Sequence, residues 1–221
     1  MKTSTLVLTA QEVIRYLPMA GCIDAVEAAF LLLGRGQAQP PVTVGLHAPA
    51  GGFHIKAAVL DLGRRYFAVK ANGNFPSNPS QHDLPTIQGL VILCDGDNGK
   101  VLAVMDSIEI TARRTAAATA VAAKYLAPRD VEVAAVCGCG VQAAAQLAAL
   151  AATLPIERFI TVDAVPERAQ RFASDMRAQH GLDVRAASFA DAVEAEPDVW
   201  ITCRTSREFF LFPEHVKQGA F

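Results

Sequence analysis

Val133-Ala-Ala-Val-Cys-Gly138-Cys-Gly140-Val-Gln-Ala-Ala144 is an apolar run that enters a glycine turn and leaves it into alanines. The spacing is Gly138-x-Gly140-x-x-Ala143, and a second apolar run, Arg158 to Val162, closes on Asp163, twenty-five residues after Gly138. Strand, turn, helix, strand and acid in that order read as a dinucleotide site. Gly138 permits the tight turn, Gly140 lets backbone approach a pyrophosphate, and Ala143 is small enough for the helix to pack on its strand. The helix start adds free N–H groups and a partial positive charge for the phosphate.

Working outward, strands near 131–137, 158–163, 183–187 and 198–202 alternate with helices near 141–153, 166–180 and 189–195. That alternation implies a Rossmann-type, doubly wound parallel sheet. A long alanine-rich helix from about Ile108 to Tyr125 precedes it and stops near Pro128. Between Pro40-Pro41 and residue 105 the signals are strands: 42–46, 52–60, 66–71, 87–94 and 101–105. Asp95-Gly96-Asp97-Asn98-Gly99 is a hairpin turn between the last two. Two helices come first, one begun by the capping box Thr9 and Glu12, the other expected to be capped by Asp24 and to end at Gly34.

The expected fold is therefore α/β in two domains. Residues 1–127 form an α+β domain with a mainly antiparallel sheet, for substrate binding and dimerisation. Residues 128–221 form the dinucleotide-binding domain. With four strands and no fifth, that sheet reads as truncated.

Composition narrows the function classes. The chain has 221 residues, of which 52% are hydrophobic and 19% charged, so a sizeable core is available. A net charge of −2 gives no reason to expect nucleic acid or an anionic membrane as partner. Leu6-Val7-Leu8 is too short for a signal-peptide core, and the low-polarity stretch 143–155 too short to span a membrane, so a cytoplasmic location is expected. Five cysteines, at 22, 94, 137, 139 and 203, lack both secreted-scaffold and zinc spacing, so neither disulfides nor a metal is expected.

Two lysines stand inside apolar strands, where an ammonium is costly to bury and needs a partner: Lys56 in Phe53-His-Ile-Lys-Ala-Ala and Lys70 in Phe67-Ala-Val-Lys-Ala-Asn. Either can grip a carboxylate or move a proton; either can instead face water. Arg113 and Arg114 are adjacent on the long helix, and a guanidinium turned inward there suits a carboxylate or phosphate.

Taken together, Lys70-Ala-Asn-Gly-Asn-Phe-Pro, Leu84-Pro-Thr-Ile-Gln-Gly, Leu102-Ala-Val-Met-Asp106, Thr111-Ala-Arg-Arg-Thr-Ala-Ala-Ala-Thr-Ala120 and Gly138-Cys-Gly-Val-Gln142 resemble the ornithine cyclodeaminase/mu-crystallin family, in its order and over residues 40–205. The resemblance implies an NAD-dependent enzyme of small amino or imino acids. It would be a cyclodeaminase, an alanine dehydrogenase or ketimine reductase, or a non-catalytic dinucleotide binder like the crystallin. It makes Lys70 the substrate-binding and catalytic lysine, Arg114 a contact to substrate carboxylate and cofactor phosphate, and Thr86 a neighbour of the nicotinamide. Val141 and Gln142 would meet the pyrophosphate, Thr202 would line the cofactor, and Asp163 would hold the adenine-ribose hydroxyls, favouring NAD over NADP. It also implies a homodimer built through the N-terminal sheet.

Two departures from the family pattern stand out. Val42 follows the double proline where many members have a clamping arginine, and Lys56 falls where the family often has methionine. Lys56 could restore the missing charge and shift the substrate away from ornithine. The catalytic aspartate of the cyclodeaminases is expected beyond residue 221.

Overall fold

The computed structural model describes residues 4–204 and 208–221. The chain divides into two compact units, Met1–Thr111 and Ala112–Phe221. That division falls inside the helix Ile108–Leu126, whereas the sequence reading put the boundary after residue 127.

The first unit opens with β1 (Leu6–Leu8), α1 (Ala10–Tyr16) and α2 (Met19–Gly34). The Thr9–Glu12 capping box is present, with the Thr9 hydroxyl accepting the Glu12 N–H and the Glu12 side chain accepting the Thr9 N–H. Asp24 caps nothing: α2 is already under way at Met19, started by Pro18, whose fixed φ suits a helix entry. The strands β2 (Val42–Ala48), β3 (Gly51–Asp61), β4 (Arg65–Asn74), β5 (Ile87–Asp95) and β6 (Val101–Asp106) follow, with the short helix α3 (Asn78–Gln81) between β4 and β5. They form a six-stranded sheet in the order β1-β6-β5-β4-β3-β2, antiparallel except for the β1–β6 pair. Leu6-Val7-Leu8, read as a mere apolar run, is thus the sheet's edge strand, added in parallel.

The pleat sorts side chains by period 2. One face carries Val42, Val44 and Leu46 of β2, Phe53 of β3 and Leu90 of β5, and all five are exposed large hydrophobics. The other face carries Thr43, Lys56, Lys70, Val91 and Met105 in one row, with His54 and Asn72 in the next.

α4 (Ile108–Leu126) leads into the second unit, where β7 (Val133–Cys137), α5 (Val141–Ala151), β8 (Arg158–Val162), α6 (Pro166–His180), β9 (Asp183–Ala186), α7 (Phe189–Glu194) and β10 (Val199–Thr202) alternate. The sheet is wholly parallel in the order β10-β7-β8-β9, the expected doubly wound arrangement. Its strands are buried on both faces: Ala134 and Val136 join a core with Leu147 and Leu150 of α5 and Phe172 and Met176 of α6. Ala135 and Cys137 join another with Ala192 of α7 and Trp200. Such two-sided burial explains why β7 and β8 read as continuous apolar runs instead of alternating ones. The winding reverses between β7, which leads outward to β8 and β9, and β10, so a crevice opens at the carboxyl ends of β7 and β10. Among the described residues no single helix is long and apolar enough to cross a membrane.

Candidate functional site

The glycine turn lies in that crevice. Gly138 has φ +96°, a conformation L side chains resist, and its N–H donates to the Val162 carbonyl at 2.7 Å. A Cβ at Gly138 would lie 2.9 Å from the carbonyl oxygen of Cys203, just beyond β10. Gly138 is therefore demanded twice, by dihedral and by neighbour. Gly140 differs. It is the N-cap of α5 with extended backbone, and a Cβ there would meet nothing within 4 Å. That open space above a helix start is room for a phosphate to reach backbone N–H groups, so the turn fits a dinucleotide's pyrophosphate.

Asp163 ties the turn together. Its Oδ2 accepts the Cys139 N–H at 2.9 Å, its Oδ1 accepts the Val165 N–H at 3.0 Å, and Arg168 lies 3.6 Å from Oδ1. Burial pushes its pKa up, but those two N–H groups with Arg168 and Arg204 outweigh burial and hold it below the usual carboxylate range. A cleft of about 350 Å³ is lined by Gly138, Cys139, Gly140, Asp163, Arg168 and Arg204. A neighbouring one of about 470 Å³ runs from Asp163 past Ala187 to Ser188. Val141, 70% exposed, and Thr202, exposed at the end of β10, stand at this carboxyl edge. The Gln142 side chain points elsewhere, its Nε2 donating to the Ala112 carbonyl at 3.3 Å, so only its backbone N–H is offered to a phosphate.

Burial pushes the Cys137 thiol up to about 11 and the Cys139 thiol to about 12. Burial thus disfavours the thiolate, the form in which a cysteine acts as a nucleophile.

In the first unit the two lysines are brought together. Lys56 of β3 and Lys70 of β4 are directly opposite in the antiparallel register, on one sheet face. Lys70 is half-buried and its Nζ donates to Thr111 Oγ1 at 3.3 Å. The same hydroxyl accepts from Asn72 Nδ2 at 3.3 Å, and buried Asn72 accepts in turn from Ser107 Oγ at 2.8 Å. Asn72, Ser107 and Thr111 were not foreseen as site residues. The only sequence signal was polar residues breaking apolar runs at the ends of β4 and β6. Thr86 is half-buried before β5, and its carbonyl accepts the Phe75 N–H at 2.9 Å, pinning the loop after Lys70. Of the two arginines on α4, Arg113 is half-buried and Arg114 exposed.

A family profile described as Ornithine cyclodeaminase/mu-crystallin family matches residues 3–221. The chain is 37% identical over 216 residues to an alanine dehydrogenase of Archaeoglobus fulgidus, covering 97% of this chain and 65% of that one. It is 36% identical over 220 residues to an iminosuccinate reductase of Paracoccus denitrificans, covering 96% and 66%. Among solved structures, the Δ1-pyrroline-2-carboxylate reductase of Thermococcus litoralis in complex with NADH and L-proline superposes with a TM-score of 0.90 at 31% identity, over 98% of this chain and 67% of that one. The chain thus spans just under two thirds of the length of the two curated relatives.

Proposed function

The chain belongs to the ornithine cyclodeaminase/mu-crystallin family, and from that premise we propose that the whole protein is an NAD-dependent enzyme of small amino or imino acids. The observation that carries this reading is the glycine turn held by Asp163, with open space at Gly140. The amides of Val141 and Gln142 take the pyrophosphate, and Thr202 lines the cofactor beside them. Ionised Asp163, which lines the cleft, has about four acceptor sites; two take N–H groups and Arg168 lies 3.6 Å from Oδ1, and the ribose hydroxyls are assigned to what remains. Its charge repels a 2′-phosphate, which favours NAD over NADP.

A bound nicotinamide would supply hydride chemistry at the substrate Cα. Everything else falls to the chain. Lys70, steadied by Thr111, would bind the substrate, and Lys56 would add a second cation; by family resemblance Arg114 would contact carboxylate and cofactor phosphate and Thr86 the nicotinamide. Their work is positioning and charge neutralisation. The product follows from the substrate: one hydride transfer gives a dehydrogenase or reductase, and a side-chain amine allows cyclodeamination.

The exposed apolar face of the first unit's sheet supports a homodimer that covers it.

Replacing Lys70 by Ala in the full-length protein tests the assignment. Turnover of amino or imino acids, followed at 340 nm, should fall by about 100-fold or more if a charged hydrogen bond and its positioning are lost. Unchanged turnover of every active substrate ends it. NAD binding by calorimetry with no turnover of any amino or imino acid would put a non-catalytic dinucleotide-binding role in its place.

A further inference from the structure

Arg204 stands two residues beyond β10, outside every motif quoted from the sequence. Its stem lies against the glycine turn: a Cβ at Gly138 would come 3.1 Å from Arg204 Cγ. Its guanidinium carbon is 4.4 Å from the centroid of the Phe210 ring. That ring is braced edge-on by Phe189 at 5.9 Å, and Phe189 packs in turn on Trp200 and His215. A guanidinium resting on a ring uses its flat face and keeps the N–H fork at its rim for hydrogen bonds. Arg204 also lines both clefts at this carboxyl edge, the one over Gly138 and Gly140 and the one running from Asp163 to Ser188.

Charge points the same way. The cleft over the turn is lined by one carboxylate, that of Asp163, and by two guanidinium groups, those of Arg168 and Arg204. Asp163 and Arg168 stand 3.6 Å apart and offset each other, so the lining as a whole is positive by the charge of Arg204. The start of α5 brings N–H groups there but no charged side chain. A diphosphate set beside Asp163 needs more than N–H groups to offset its charge, and an arginine fork matches phosphate oxygens two at a time.

We propose that Arg204 is a coenzyme-binding residue whose N–H fork grips the diphosphate of the dinucleotide, with the Phe210 ring as the seat from which it does so. This rests on the coenzyme reading above and adds to it the cation that the glycine turn lacks. The cluster of Phe189, Trp200, Phe210 and His215 thereby gains a role. It holds the guanidinium at the cleft before the nucleotide arrives, so less side-chain freedom is lost on binding.

The test measures NAD and NADP on the full-length protein by calorimetry, with ADP and adenosine as competitors of NADH. ADP carries the diphosphate and adenosine does not. R204M should weaken NAD and ADP by about 10- to 100-fold, as for loss of hydrogen bonds to a charged group, and leave adenosine within about twofold. R204K should recover part of the loss, because the charge returns and the two-pronged hydrogen bond does not. F210L should weaken NAD by about two- to fivefold, the worth of a cation–π seat. In turnover R204M should raise the KM of the coenzyme and leave kcat within about twofold, the signature of lost uniform binding. Circular-dichroism melts establish that each variant folds. Adenosine weakened as far as ADP makes Arg204 a cover for the adenine ring, and a loss confined to NADP makes it a 2′-phosphate contact. Either result, or unchanged NAD and ADP affinities, overturns the clamp and leaves the coenzyme reading intact. ADP held through Arg204 by a protein that takes up neither NAD nor NADP supports the clamp and removes the coenzyme reading. A protein that binds no adenine nucleotide overturns both.

Discussion

The glycine turn of the second unit and the lysine row of the first achieve site geometry by opposite means. The turn is fixed by backbone: a positive φ at Gly138, N–H groups closed on Val162 and Asp163, and a carbonyl of Cys203 filling the place of a side chain. The row is fixed by register, and its working parts are flexible side chains on a pleated face. The turn is intolerant of small changes in shape. Register sites tolerate substitution and are governed by charge.

Substitutions should separate the two kinds of site. The largest effect is expected from Gly138→Ala, which must strain φ and push against Cys203, destabilising by about 3 kcal/mol or more in a thermal or denaturant melt. Gly140→Ala should leave the melt within about 0.5 kcal/mol, since its Cβ meets nothing, yet weaken NAD by about tenfold or more in calorimetry. Equal melts for the two would break the contrast. Asp163→Ala comes next, at about 2 kcal/mol, because two turn N–H groups lose a charged acceptor.

Acid should act on the second unit in the same sense. For Asp198, burial raises the pKa, but the Lys217 ammonium with the N–H groups of Val133 and Glu132 more than offsets it, leaving the carboxyl below its usual range; Asp163 is likewise lowered. A carboxylate lowered in the folded state stabilises fully above its unfolded pKa, near 4, and loses that contribution as pH falls through the folded value. Melts should thus hold steady down to about pH 5 and drop below pH 4, and Asp198→Asn should flatten that drop. A drop of the same size in Asp198→Asn would remove Asp198 from the account. The smallest stability effect belongs to the row: Lys56 is exposed, and K56M should change the melt by less than about 1 kcal/mol.

The same contrast explains what was legible in the sequence. Gly138, Gly140 and Asp163 stand out by spacing alone, and buried parallel strands announce themselves as unbroken apolar runs. The lysines were visible as misfits, but their pairing was not. It depends on how the turn at Leu62–Arg64 sets Asp61 against Arg65, and a slip of one residue would send Lys56 to the opposite face. The Thr111–Asn72–Ser107 hydrogen bonds depend on two strands and a helix start, which no spacing encodes. β1 escaped because three residues are too few for periodicity, and Asp24 misled because a good capping residue inside a helix looks the same as one at its start.

The close approach of Cys203 to Gly138 also bears on how the molecule matures. The turn ends β7, yet the wall that shapes it comes from Cys203 just beyond β10, so the turn's geometry is completed only after long-range strand pairing, the slow part of parallel-sheet assembly. Coenzyme recognition should therefore emerge late during refolding, and a nascent chain lacking β10 should pass through synthesis without sequestering nucleotide.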